Sequence, residues 1–189
     1  MTLILLAYGS NLSHGGRSPK EIIRAALDML AEHESVDIRA TSRLYRTPAV
    51  PPGSGPDFVN GAAVLESDLA PGALIKVLHA VEAQLGRVRR QRWAPRVVDL
   101  DLLAIDDLVL PDRATEAHWR GLPPQEAARR SPGELILPHP RMAERAFVLV
   151  PLAEIAPYWR HPTLGLTVEE MLAALDPTEV AAVAPLPDP

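Results

Sequence analysis

The residue pattern predicts an α+β sandwich, an antiparallel sheet with helices packed on one face. Three observations carry that expectation. Apolar runs of strand length and segments of helical period follow one another as strand, helix, strand, strand, helix, strand. Both helical segments open on start signals readable in the sequence. The 189 residues are 47% hydrophobic and 23% charged, enough to bury a core without staples.

The first strand is Leu3–Tyr8, a short apolar run ending in the turn residues Gly9, Ser10 and Asn11. Ser18 and Glu21 have the spacing of a capping box, with Pro19 at the first helical position. Ile23, Leu27 and Leu30 then form one apolar stripe. Residues 36–46 alternate as a strand, and 47–57, rich in proline and glycine, form a loop. Phe58–Glu66 is the next strand. Pro71 opens a second helix whose stripe is Leu74, Leu78, Val81 and Leu85, with Gly86 as its stop. Val97–Ile105 is a strand that turns at Asp106 and Asp107 into Leu108–Leu110. Phe147–Leu152 is expected as a further strand and Val168–Leu175 as a short last helix. The two split units make the expected fold ferredoxin-like, with an extra C-terminal strand and helix. Residues 1–175 are expected as a single domain carrying a non-periodic surface insert at about 111–133. The proline-rich tail, 176–189, is expected to be disordered.

Several function classes are excluded or disfavoured at once. The chain has no cysteine, so disulfides, thiolate zinc sites and cysteine nucleophiles are out. A net charge of −5 disfavours a whole-surface affinity for nucleic acid or anionic lipid. The leading apolar run is too short to span a bilayer and lacks the features of a secretory signal, so a cytoplasmic soluble protein is expected.

Chemistry concentrates around Asp99 and Asp101. On a strand, residues two apart share a face, so both carboxylates project together while Val98, Leu100 and Leu102 go to the other side. Paired acids repel unless a cation sits between them, and magnesium takes one or two carboxylates plus substrate phosphates. Taken alone, Asp-x-Asp fits a solvated strand face as well. The preceding residues tip the balance: Arg87, Arg89, Arg90, Arg92 and Arg96 lie within ten positions, with Trp93 among them. Guanidinium groups suit bidentate phosphate contact, and cations for phosphate beside acids for metal is the layout of nucleotide chemistry. All but two of the 19 basic residues are arginine, so composition alone supplies part of the cluster. No glycine-rich phosphate loop or His-Glu-x-x-His pair is present. His139, between Pro138 and Pro140, has a stiffened backbone that fixes where its ring points.

The segment from Arg92 to Leu103 strongly resembles the 6-hydroxymethyl-7,8-dihydropterin pyrophosphokinase family. Gly9-Ser10-Asn11, Tyr45–Pro48, Phe58–Asn60, Glu82–Arg89 and Leu137–Met142 through Arg145 and Phe147 resemble its further motifs, in family order. The resemblance implies transfer of pyrophosphate from ATP to the pterin hydroxymethyl group, with release of AMP, in folate biosynthesis. It implies Asp99 and Asp101 as catalytic ligands of two Mg2+ ions, and Arg87 and Arg96 as catalytic residues of a loop closing over both substrates. Thr47, Pro48, Phe58, Asn60, Trp93 and Phe147 are implied on the pterin side, and Glu82, Arg89, Arg92, Leu102, His139 and Arg145 on the ATP side. Plain core packing remains open for the two phenylalanines, an ordinary helix-surface acid for Glu82, and an exposed structural cation for Arg145. Where some members have arginine and threonine before the Pro-His motif, this chain has Glu134 and Ile136. The implied partners are small molecules, ATP and the dihydropterin, with no nucleic acid, no membrane and a monomeric state.

Two other classes compete. Ferredoxin-like sheets also host RNA through exposed aromatics and arginine, although three Trp, three Tyr and two Phe are few for that purpose. A sugar-nucleotide transferase also uses Asp-x-Asp, but this chain is short for one.

Overall fold

The computed structural model describes residues 1–49, 55–87 and 97–187. Six strands, β1 (Thr2–Ser10), β2 (Val36–Thr41), β3 (Tyr45–Thr47), β4 (Phe58–Ser67), β5 (Asp99–Ile105) and β6 (Ala184–Pro185), form one antiparallel sheet. Its order is β5-β1-β4-β3-β6, with β2 also pairing β4. Helices α1 (Pro19–Ala31) and α2 (Pro71–Gln84) complete the two split units, as the ferredoxin-like pattern requires.

The start signals act as the sequence predicts. The Ser18 side chain accepts from the Glu21 amide while Glu21 accepts from the Ser18 amide at 2.8 Å, which closes the capping box on α1. Gly86 ends α2 at φ +94°, a left-handed conformation that favours glycine.

Helices cover both faces of the sheet, not the one expected. Ile4, Leu6 and Tyr8 of β1 face α1 and α2, whereas Leu5 and Ala7 face α5 (Ala146–Ile155) and α6 (Val168–Ala173). Burial on both sides explains the unbroken apolar run of β1. It also removes the basis of the RNA alternative, which needs an open sheet face.

Other expectations are corrected. Phe147–Leu152 is part of helix α5; its apolar residues are short in number and bury all round, so periodicity could not separate strand from helix. The extra C-terminal strand is instead β6, inside the tail expected to be disordered. Over 177–187 that tail forms α7 (Pro177–Ala181) and then pairs with β3, Leu186 donating its amide to the Leu44 carbonyl at 2.8 Å. The single strand read over 36–46 is two, because the Ser42 hydroxyl accepts from the Ala62 amide at 2.9 Å and interrupts the ladder. The insert holds α3 (Arg113–Arg120) and α4 (Pro124–Arg129). Asp112 caps α3 by accepting from the amides of Ala114 and Thr115, both at 2.9 Å. No helix among the described residues is long and apolar enough to cross a membrane.

Candidate active site

Register builds the centre of the site. Asp99 and Asp101 stand opposite Gly9 and Ala7 on β1, and Gly9 and Ala7 stand opposite Asn60 and Ala62 on β4. All therefore point to the face that carries α5, while Val98, Leu100 and Leu102 enter the opposite core. Asn60 lies so close over β1 that a Cβ on Gly9 would meet its Oδ1 at 2.5 Å. The Ser10 hydroxyl donates to the Val97 carbonyl at 2.5 Å and ties the end of β1 to the entry of β5.

Two cavities meet at the acids. The smaller, of about 330 Å³, is lined by Thr47, Pro48, Phe58, Asn60 and Phe147 besides β1 residues 7–9. The larger, of about 670 Å³, is lined by Glu82, Arg87, Leu102 and His139 among others. Asp99, Asp101 and Arg145 belong to both. The structure thus brings the described residues of the expected set around these two cavities, with Arg145, expected on the ATP side, bordering both. Arg89, Arg92, Trp93 and Arg96 lie outside the described residues.

In the smaller cavity the buried Asn60 amide donates to the Thr47 hydroxyl at 2.6 Å, which orients the amide. Phe147 is 38% exposed, far too open for core packing, and Arg145 lies over its ring at 5.6 Å. In the larger cavity Glu82 is buried at the end of α2, so it is not a helix-surface acid. It accepts from the Leu100 amide at 2.8 Å and from Arg87, and Arg87 donates to Asp99 at 2.6 Å. Glu82 thereby joins α2 to β5 and fixes a cation beside one of the paired acids.

His139 is held by its own amide, which donates to the Leu103 carbonyl at 2.7 Å. Burial, followed by the nearby charge of Arg145, pushes the imidazole down to about 3, so the ring is neutral at physiological pH. Its Nδ1 accepts from the Arg141 amide at 3.1 Å, which leaves Nε2 carrying the proton as a hydrogen-bond donor.

No third His, Asp or Glu completes a metal cluster among the described residues. Two same-face carboxylates suit magnesium, which keeps waters and takes phosphate oxygens, better than a metal caged by protein alone. Sequence reasoning missed Ile75 and His79, which line the larger cavity with Glu82. Their i, i+4, i+7 spacing on α2 was a legible signal. It also missed Trp119 and Arg130 in the insert, for which no local pattern existed.

Paired acids between an aromatic-lined cavity and a larger charged one are an arrangement that suits a transferase acting on phosphate groups. Residues 5–157 match the family described as 7,8-dihydro-6-hydroxymethylpterin-pyrophosphokinase, and the chain belongs to that family. Relatives named 2-amino-4-hydroxy-6-hydroxymethyldihydropteridine pyrophosphokinase support it. The Methylorubrum extorquens protein is 38% identical over 97% of this chain and 99% of its own length. The Pseudomonas aeruginosa protein is 39% identical over 90% of each. The Synechocystis protein is 37% identical over 86% of this chain and 73% of its own. Among solved structures, wild-type Plasmodium falciparum HPPK-DHPS superposes with a TM-score of 0.61 at 15% identity, over 91% of this chain. The match spans only 44% of that longer chain, and at such identity it speaks for the fold alone.

Proposed function

We propose that the larger cavity receives ATP, the smaller receives 6-hydroxymethyl-7,8-dihydropterin, and pyrophosphate passes between them in folate biosynthesis. The single observation that carries this reading is that Asp99 and Asp101 border both cavities, so two separately bound substrates can meet beside them. The pterin hydroxyl oxygen attacks the β-phosphorus of ATP. The new O–P bond forms as the bridge to the α-phosphate breaks, its electron pair leaves with AMP, and the hydroxyl proton is released to solvent.

Asp99 and Asp101 would hold the magnesium that accompanies ATP, two ions in our reading, whose charge offsets that of the phosphates. Arg87 and Arg145 add fixed positive charge on the same side, and His139 offers its Nε2–H to a phosphate oxygen. Phe58 and Phe147 would sandwich the flat pterin while Asn60, oriented by Thr47, and the backbone at Pro48 read its polar edge. Most of the rate gain then comes from holding the hydroxyl in line with the β-phosphorus. We further propose a cytoplasmic location and a monomeric state, the latter to be checked by sizing in solution.

The test is product analysis with ATP, magnesium and 6-hydroxymethyl-7,8-dihydropterin. Pterin-dependent AMP without ADP is the expected result. ADP would move the attack to the γ-phosphorus, and no pterin-dependent turnover would overturn the reading.

A further inference from the structure

The insert between β5 and the Pro-His segment belongs to the wall of the larger cavity. Its two ends are pinned together, since Leu110 and Leu137 exchange backbone hydrogen bonds at 2.9 and 3.2 Å. Helix α3 is anchored in turn: Glu116, paired within the helix with Arg120 at 2.8 Å, is fully buried, and Arg113 donates to the Pro162 carbonyl at 3.0 Å. Trp119 sits in the last turn of that anchored helix. The Arg130 guanidinium, just after α4, lies 5.3 Å from the centre of its ring and joins the two insert helices. Both residues line the larger cavity and neither lines the smaller.

That placement divides the larger cavity by chemistry. Asp99, Asp101 and Arg145 mark the part that meets the smaller cavity, where reacting phosphates belong. The rest of the nucleotide, a flat purine and its ribose, must occupy wall that the smaller cavity does not share. There the surface carries Trp119, Ala127, Pro132 and Ile136 among charged and polar residues such as Arg130 and Glu134, with one indole among the described residues. A purine offers a π-face that gains from stacking on an aromatic ring.

We propose that Trp119, held by Arg130, is the stacking surface for the adenine ring of ATP, so that the insert is a base-binding wall. The proposal rests on ATP occupying the larger cavity. Its test compares two probes, α,β-methylene-ATP with magnesium and inorganic tripolyphosphate with magnesium, on the wild-type chain, Trp119→Ala and Trp119→Phe. Trp119→Ala is expected to weaken the analogue about tenfold or more and leave tripolyphosphate unmoved, with Trp119→Phe close to wild type. The KM for ATP should rise in step, with the KM for the pterin unmoved. Equal weakening of both probes, or none for the analogue, would overturn the proposal. Failure of the pyrophosphokinase reading would be separately visible, as wild-type protein that binds the analogue yet yields no pterin-dependent AMP.

Discussion

The two cavities share a pair of acids but are built by different means. The smaller is framed by strands: β1, β3 and β4 supply Gly9, Thr47, Phe58 and Asn60, whose spacing follows from ladder register, with Phe147 added from the start of α5. The larger takes part of its wall from an insert whose position depends on a few tertiary contacts, chiefly the Arg113–Pro162 hydrogen bond and the burial of Glu116. One recognition surface is thus rigid by backbone pairing, and the other is only as rigid as its anchors. The difference suits a small flat substrate on one side and a long flexible one on the other.

The largest effect should erase the comparison altogether. Asp99→Asn or Asp101→Asn is expected to lower pterin-dependent AMP formation by roughly a thousandfold or more, since a shared ligand of both halves is lost. Circular dichroism should show the fold retained, and near-normal rates in both variants would remove the metal assignment.

Acid should loosen the insert-lined side first. His161 is fully buried, its Nδ1 accepts from the amides of Thr163 and Leu164 at 3.3 Å, and burial pushes it down to about 4. Below about pH 6.5 the unfolded chain gains a proton that the folded ring refuses until about pH 4. Stability therefore falls as pH drops through that window, by up to about 3 kcal/mol from this residue. Denaturant melts at pH 7 and pH 4.5 should show the loss, and His161→Gln should shrink it.

Phe147→Ala should separate the two substrates. Its expected cost is about 2 kcal/mol, read as a KM for the pterin raised roughly thirtyfold with the KM for ATP little changed. A rise in both would mean that the ring supports the site and does not stack on substrate.

The smallest effect concerns His139. Replacing it by Phe removes one neutral donor, worth about 1 kcal/mol or a several-fold rise in the KM for ATP. Because the ring stays neutral down to about pH 3, the wild-type rate between pH 5 and 8 should carry no inflection from it.

The same contrast governs how much could be read from sequence. The order of β1, α1, β4, α2 and β5 was legible because each has a local signature: the Ser18 capping box, the Leu74–Leu85 stripe, the glycine stop at Gly86. Asp99 and Asp101 were legible because a strand fixes residues two apart on one face. Helix α5 was misread because it is apolar on every side, and burial by the sheet, not periodicity, decides its form. The insert helices and Trp119 were invisible for the opposite reason. Helix α3 is mostly polar, and what holds it, the burial of Glu116 and the Arg113–Pro162 hydrogen bond, exists only once the tertiary fold has formed.

The pairing of β6 with β3 bears on biosynthesis. Tyr45 and Arg46 precede Thr47, which lines the smaller cavity, yet their edge stays open until Ala184 and Pro185 reach it. At ordinary ribosomal speeds the roughly 140 intervening residues take about 10–30 s to emerge. Throughout that interval the nascent chain presents an uncapped strand edge to its neighbours, the kind of surface through which chains associate. Ala184 and Pro185 therefore form a closing clasp, and removing them should favour aggregation during synthesis more than it alters chemistry at the acids.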